Sequence, residues 1–147
     1  MDDRYLFKAK RIDNGEWVQG NILLDIEKNK PSETYRIYPI DHVDICRVVD
    51  ETTICQCTGL KDKNGELIWE NDIVKKHFYS IYDSCVNSEE YIGVVKLKDC
   101  AWVVDSFRGE CKCAVPIFEA MTYSEDVKYF EIIGNVFDNK ELLESEE

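Results

Sequence analysis

Apolar and polar side chains alternate from the first residues of this chain, and short runs of the same kind recur along it, each ended by a turn sequence. A period of two places alternate side chains on opposite faces of an extended strand, so a helical fold is excluded for most of the length. Tyr5, Phe7 and Ala9 fall on one face while Lys8 and Lys10 fall on the other. Asp13-Asn14-Gly15 follows, and Asn-Gly favours a type I′ turn because both residues tolerate φ > 0. Trp17–Leu24 then resumes the strand pattern, so residues 4–24 read as a hairpin. Residues 25–33 read as a polar loop, and two shorter strand runs, Thr34–Ile40 and Val43–Val49, come next.

The middle of the chain repeats this grammar. Asn64-Gly65 reads as a second tight turn and Glu66–Trp69 as a short strand leaving it. Ile73-Val74 opens a longer strand running toward Tyr82. The polar stretch Ser84–Glu90 separates it from Ile92–Leu97, and Lys98-Asp99 turns into Ala101–Phe107. Cys111–Phe118 reads as a strand or, over Ile117–Tyr123, as a helical turn. A last strand spans Tyr129–Val136, and Asp138 is placed to cap a short helix over Asn139–Leu143, ahead of a frayed Glu144–Glu147. Eight to ten short strands with one or two short helices indicate an all-β fold, mainly antiparallel, barrel-like or sandwich, with α+β as the alternative. At 147 residues the chain is expected to form a single domain over 1–147.

Composition narrows the function classes. Apolar residues at 44% and aromatic residues at 12% suffice for a packed core, which excludes global disorder. The formal net charge is −12, and residues 119–147 hold nine acidic against two basic side chains. Such a chain repels a phosphate backbone at long range, so direct nucleic-acid binding is not expected. Lys8-Ala9-Lys10-Arg11 and Lys75-Lys76-His77 are the nearest approaches to a basic patch. No apolar run approaches the length of a membrane helix, and seven cysteines without a secretion signal suit free thiols in a reducing cytoplasm.

Three blocks of sequence resemble the YopX family of phage and prophage proteins. Phe7-Lys8-Ala9 followed by Trp17-Val18 and Gly20 is similar to its N-terminal block. Thr53, Ile54 and Gln56, then Thr58-Gly59-Leu60-Lys61-Asp62-Lys63-Asn64-Gly65, then Glu70 and Asp72-Ile73-Val74, resemble its central and most specific block. Glu131-Ile132-Ile133-Gly134-Asn135-Val136-Phe137, with Asn139, Glu141, Leu142 and Leu143, looks like its C-terminal block. Lys10, Asn71 and Lys140 depart from the pattern, where the family favours Trp, Gly and Pro, and Cys55 and Cys57 occupy positions the family fills without cysteine. The Asn71 change is physically mild, since Asn tolerates φ > 0. The resemblance implies a largely β fold, an oligomer and a phage or prophage origin, and it carries over no catalytic residue. The motif residues Trp17, Gly20, Thr58, Gly59, Leu60, Asp62, Asn64, Gly65, Asp72, Gly134 and Asn135 are read as structural.

Residues that bear chemistry each have a structural reading beside the functional one. Cys55-Gln56-Cys57 and Cys111-Lys112-Cys113 each place two thiols on one strand face, and two such strands side by side would offer zinc a tetrahedral site. Structural zinc sites use wider cysteine spacing, and buried thiols acting as small hydrophobes are favoured. His42 and His77 pair with no particular cysteine, so neither marks a nucleophilic site. Asp62, Glu66, Glu70 and Asp72 would suit Mg²⁺ or acid–base work, while turn chemistry and solvated strand ends explain them without a ligand. The favoured reading has no cofactor and no enzymatic activity: an oligomeric module that binds or modulates a host or phage protein in the host cytoplasm. An acidic decoy for a nucleic-acid-binding host protein is one alternative, and a phosphodiesterase using the Asp62–Asp72 carboxylates is another.

Overall fold

A computed structural model describes residues 3–25, 34–42, 45–77, 90–108, 114–116 and 130–144. Among them the protein is all-β and mainly antiparallel, with 3-10 turns at Asp3–Tyr5, Glu51–Thr53 and Lys140–Leu142 as its helical elements. The chain divides into two compact units, Met1–Gly59 and Leu60–Glu147.

Unit 1 starts with the hairpin of β1 (Phe7–Lys10) and β2 (Trp17–Asp25), in which Phe7 pairs with Gly20 and Lys10 with Trp17. Strand β3 (Thr34–Pro39) lies against β2 and pairs with the two-residue β4 (Arg47–Val48). Arg11 then forms a bridge with Val49, so the end of β4 returns to the end of β1 and four strands close into a ring. The alternation explains the interior: Ala9, Ile37 and Val49 are buried, with Phe7, Val18, Ile22, Tyr35 and Ile54 packed around them. Tyr5 departs from the expected pattern, because it ends a 3-10 turn rather than lying in β1 and is 66% exposed. On the other side of β1, Phe7 and Lys8 pair with β5 (Cys55–Lys61), which carries the chain on into unit 2.

Unit 2 is built on a different pattern, in which neighbouring residues in a strand are both apolar. Its five-stranded sheet has the order β10 (Ala114–Pro116), β9 (Ala101–Arg108), β8 (Glu90–Lys98), β7 (Asp72–His77), β11 (Phe130–Asn135). Val74, Val95, Val104 and Phe130 pack on one face with Ile68 of β6 (Leu67–Trp69). Ile73, Ile92 and Val94 form a second cluster, covered by Ile133, Val136 and Leu142. Strands buried on both faces require consecutive apolar residues, and Ile73-Val74, Ile92–Val95 and Ile132-Ile133 supply them.

Asn14-Gly15 differs from the type I′ expectation, and Asn64-Gly65 makes its tight turn in the same way. Gly15 (φ +72°) and Gly65 (φ +84°) are left-handed, whereas their asparagines are not. Arg11 N donates to Glu16 O and Asp62 N to Glu66 O, which leaves loops of four and three residues that each finish on a left-handed glycine. The two-residue turn with both central φ positive occurs instead at Asp99-Cys100 (φ +49° and +63°), joining β8 to β9 without a glycine. Asp138 also differs from expectation. Its carboxylate accepts from the Asn135 side-chain Nδ2 at 3.1 Å, and Asn139 stands at the N-cap of the 3-10 turn. The expected extension of β7 past residue 77 and the helix alternative at 117–123 lie outside the described residues.

Candidate functional site

The central motif folds into a set of backbone anchors. Asp62 is buried, and its Oδ1 accepts from the amides of Asn64 at 2.8 Å and Glu66 at 3.0 Å, which shapes the turn ending on Gly65. Its Oδ2 accepts from the amide of Ile132 at 3.2 Å, seventy residues further along the chain. Asp72 is 2% exposed and accepts from the amide of Trp69 at 2.8 Å, closing the turn between β6 and β7. Asn71 within that turn has φ +65°, a conformation for which Asn is well suited. Asn71 N donates to Val95 O and its own carbonyl accepts from Val136 N, so the turn is also held to β8 and to the end of β11. The carboxylates expected as rival metal ligands thus accept from backbone amides, while Glu66 is exposed in its turn and Glu70 half-buried. Buried amides need such acceptors as much as a metal would, which makes the pattern ambiguous in sequence.

The remaining motif residues are structural for separate reasons. Thr58 is buried and Leu60 packs against the unit 2 core. A Cβ on Gly59 would stand 2.4 Å from Arg4 Cγ, and one on Gly20 would stand 2.0 Å from the Tyr38 carbonyl oxygen, so both positions admit only glycine. Gly134 leaves room for the side chain of Asn139, whose Oδ1 accepts from Asn135 N at 3.1 Å. The Asn135 Oδ1 accepts in turn from the amides of Phe137 and Asp138. Trp17 lies on the outward face of unit 1 with the ammonium groups of Lys8 and Lys10 at 5.1 and 5.5 Å from its ring centroid.

Cys55 and Cys57 are fully buried. The Cys55 thiol donates to the Thr53 carbonyl at 3.3 Å, and the Cys57 sulfur accepts from Gly59 N at 3.4 Å. Cys111 and Cys113 lie outside the described residues. Among the described residues no three His, Cys, Asp or Glu side chains gather into a metal-binding group. His42 is exposed just after β3, and His77 is the last residue of β7.

A concave site that the sequence did not announce lies in unit 1. A cleft of about 650 Å³ opens where the ring closes, between the turn after β1, the start of β3 and residues 48–51. Three of its amides are engaged within the fold: Ile12 N donates to Val48 O, Val49 N to Tyr35 O and Asp50 N to Lys10 O. Arg11 donates to Asp13 through Nε at 2.9 Å, and this partner holds its guanidinium above the ordinary arginine range. The Asp50 carboxylate accepts from the hydroxyl and amide of Thr52 at 2.7 and 3.0 Å, and those donors hold its carboxyl below the usual range. Ile12, 66% exposed, lines the cleft together with Tyr35 and Val48. Three segments far apart in sequence make this site, and only the apolar Ile12 within a polar turn hinted at it.

No curated protein matches the chain. Among solved structures it is similar to "protein EF1440 from Enterococcus faecalis", at 20% identity and a TM-score of 0.48, over 94% of this chain and 96% of that one. The family model described as YopX protein matches residues 6–144, a span that includes every anchor of unit 2 and the cleft of unit 1. This chain belongs to the YopX family.

Proposed function

We propose that the protein is a non-enzymatic, oligomeric module that binds or modulates a host or phage protein in the cytoplasm of a bacterial host. The observation that carries this reading is the distribution of exposed apolar side chains. Among the described residues, Tyr5, Ile12, Leu23, Ile40 and Ile45 are exposed in unit 1, against Leu97 and Leu143 in unit 2. Exposed apolar groups gathered on one small unit favour contact with another protein surface. The use of Asp62 and Asp72 as acceptors for backbone amides weighs against the phosphodiesterase alternative.

Native mass spectrometry of the reduced protein, purified without chelator, tests the reading alongside capture of partners from host lysate. The expected result is a homo-oligomer that retains a protein partner. A monomer that captures nothing overturns it, as does phosphodiester hydrolysis with a divalent metal that Asp72→Asn and Glu70→Gln abolish. The −7 charge of residues 119–147 supports a second reading, an acidic decoy for a nucleic-acid-binding protein. That reading requires capture of basic proteins that high salt reverses.

A further inference from the structure

We infer that the unit 1 cleft docks a segment of a partner protein that presents a lysine or arginine beside an aliphatic or aromatic side chain. The inference rests on the protein-binding reading and names the chemistry of the partner. At about 650 Å³ the cleft suits two or three side chains rather than a folded surface. Ile12 N, Val49 N and Asp50 N already donate within the fold, so a partner gains nothing there by adding a strand.

The charged groups of the cleft are unequally committed. Arg11 is held by Asp13, and the Lys10 ammonium lies over the Trp17 ring, so both cations already have anionic or π partners. The acidic side is more open. The Glu51 carboxylate makes no hydrogen bond or ion pair among the described residues, and Asp50 engages Thr52 through Oδ1 alone. A ligand approaching the cleft meets two carboxylates able to accept from an ammonium or guanidinium, next to the exposed Ile12 and its neighbours Tyr35 and Val48. The net charge of −12 draws cationic segments toward the whole molecule.

The full-length protein is titrated with three fluorescein-labelled probes: a capped Leu-Lys-Leu-Arg peptide, its Leu-Glu-Leu-Glu counterpart, and an oligothymidine. Binding is read by anisotropy. The basic peptide is expected to bind in preference to the other two, weakening as salt is raised. Glu51→Lys and Ile12→Asp, both at exposed positions, are each expected to weaken it roughly tenfold or more. Glu66→Lys makes the same charge change on an exposed turn of unit 2 and is expected to alter it less than twofold. The inference is overturned if the basic peptide does not bind, if its binding ignores both cleft substitutions, or if the acidic peptide or oligothymidine is preferred. That last result assigns recognition to Lys8, Trp17 and Lys10 instead. The two readings fail separately, because a partner captured equally well by the Glu51→Lys, Ile12→Asp double variant overturns the cleft's role and leaves protein binding standing.

Discussion

Unit 1 and unit 2 are both antiparallel β structures, yet they solve the burial problem in opposite ways. Unit 1 buries one face of each strand inside a closed ring, around Ala9, Ile37 and Val49, and leaves its outer face to Lys8, Lys10 and Trp17. Unit 2 buries both faces of its central strands and anchors its turns with sunken carboxylates. One pattern leaves a cleft and exposed apolar groups where another molecule can attach. Among the described residues, the other turns its central carboxylates onto its own backbone amides.

The largest effect expected from this contrast is at Asp62. Asp62→Ala removes the acceptor for three backbone amides of unit 2, two of them from the turn and one from β11, and should cost about 3–5 kcal/mol. Hydrogen exchange should rise across β7, β8 and β11 first, and equal loss of protection in β1–β3 would break the contrast. Ile37→Ala tests the other side. A fully buried side chain in so small a core should cost about 2–4 kcal/mol, with faster exchange confined first to β1–β4.

Smaller effects separate the turns. Cys100→Gly relieves a left-handed non-glycine residue in unit 2 and should stabilise by about 0.5–1 kcal/mol in urea unfolding. Gly15→Ala in unit 1 places a Cβ in open space at φ +72°, so any loss, about 1 kcal/mol, measures the backbone conformation alone. The smallest difference is electrostatic. Hydrogen bonds from Thr52 hold the Asp50 carboxyl below the usual range, and Lys98 does the same for Asp105. A carboxyl with a lowered folded pKa adds stability above the unfolded value of about 4, and that contribution disappears as the pH falls through the folded value. Both contributions should fade on acidification below about pH 4. Only the Asp105 contribution should also shrink in 1 M salt, because its partner is a cation. Unfolding curves of Asp50→Asn and Asp105→Asn at two salt concentrations distinguish the two.

One side of this contrast was readable in the sequence. Lys8-Ala9-Lys10 announces a strand with one wet face, and the hairpin of β1 and β2 follows from it. Ile73-Val74 and Ile132-Ile133 read only as strand, and their burial on both faces emerges once the sheet places Leu142 and Val136 over Ile73. Turn geometry was less legible, since Asn-Gly supports several loops that end on a left-handed glycine, and Asp99-Cys100 adopts a paired left-handed turn with none. The site was least legible of all. The third amide on Asp62 comes from seventy residues away, and the cleft joins segments near residues 11, 35 and 50.

The bond from Ile132 to Asp62 also sets an order of assembly during synthesis. Every strand of the unit 1 ring has been made by residue 49, so that ring can close before β7, β8 and β11 exist. Asp62 meets its last amide only when β11 emerges, seventy residues later. A nascent chain therefore passes through an interval in which the unit 1 ring is formed and the unit 2 sheet is not, and β7 and β8 wait with their apolar faces uncovered.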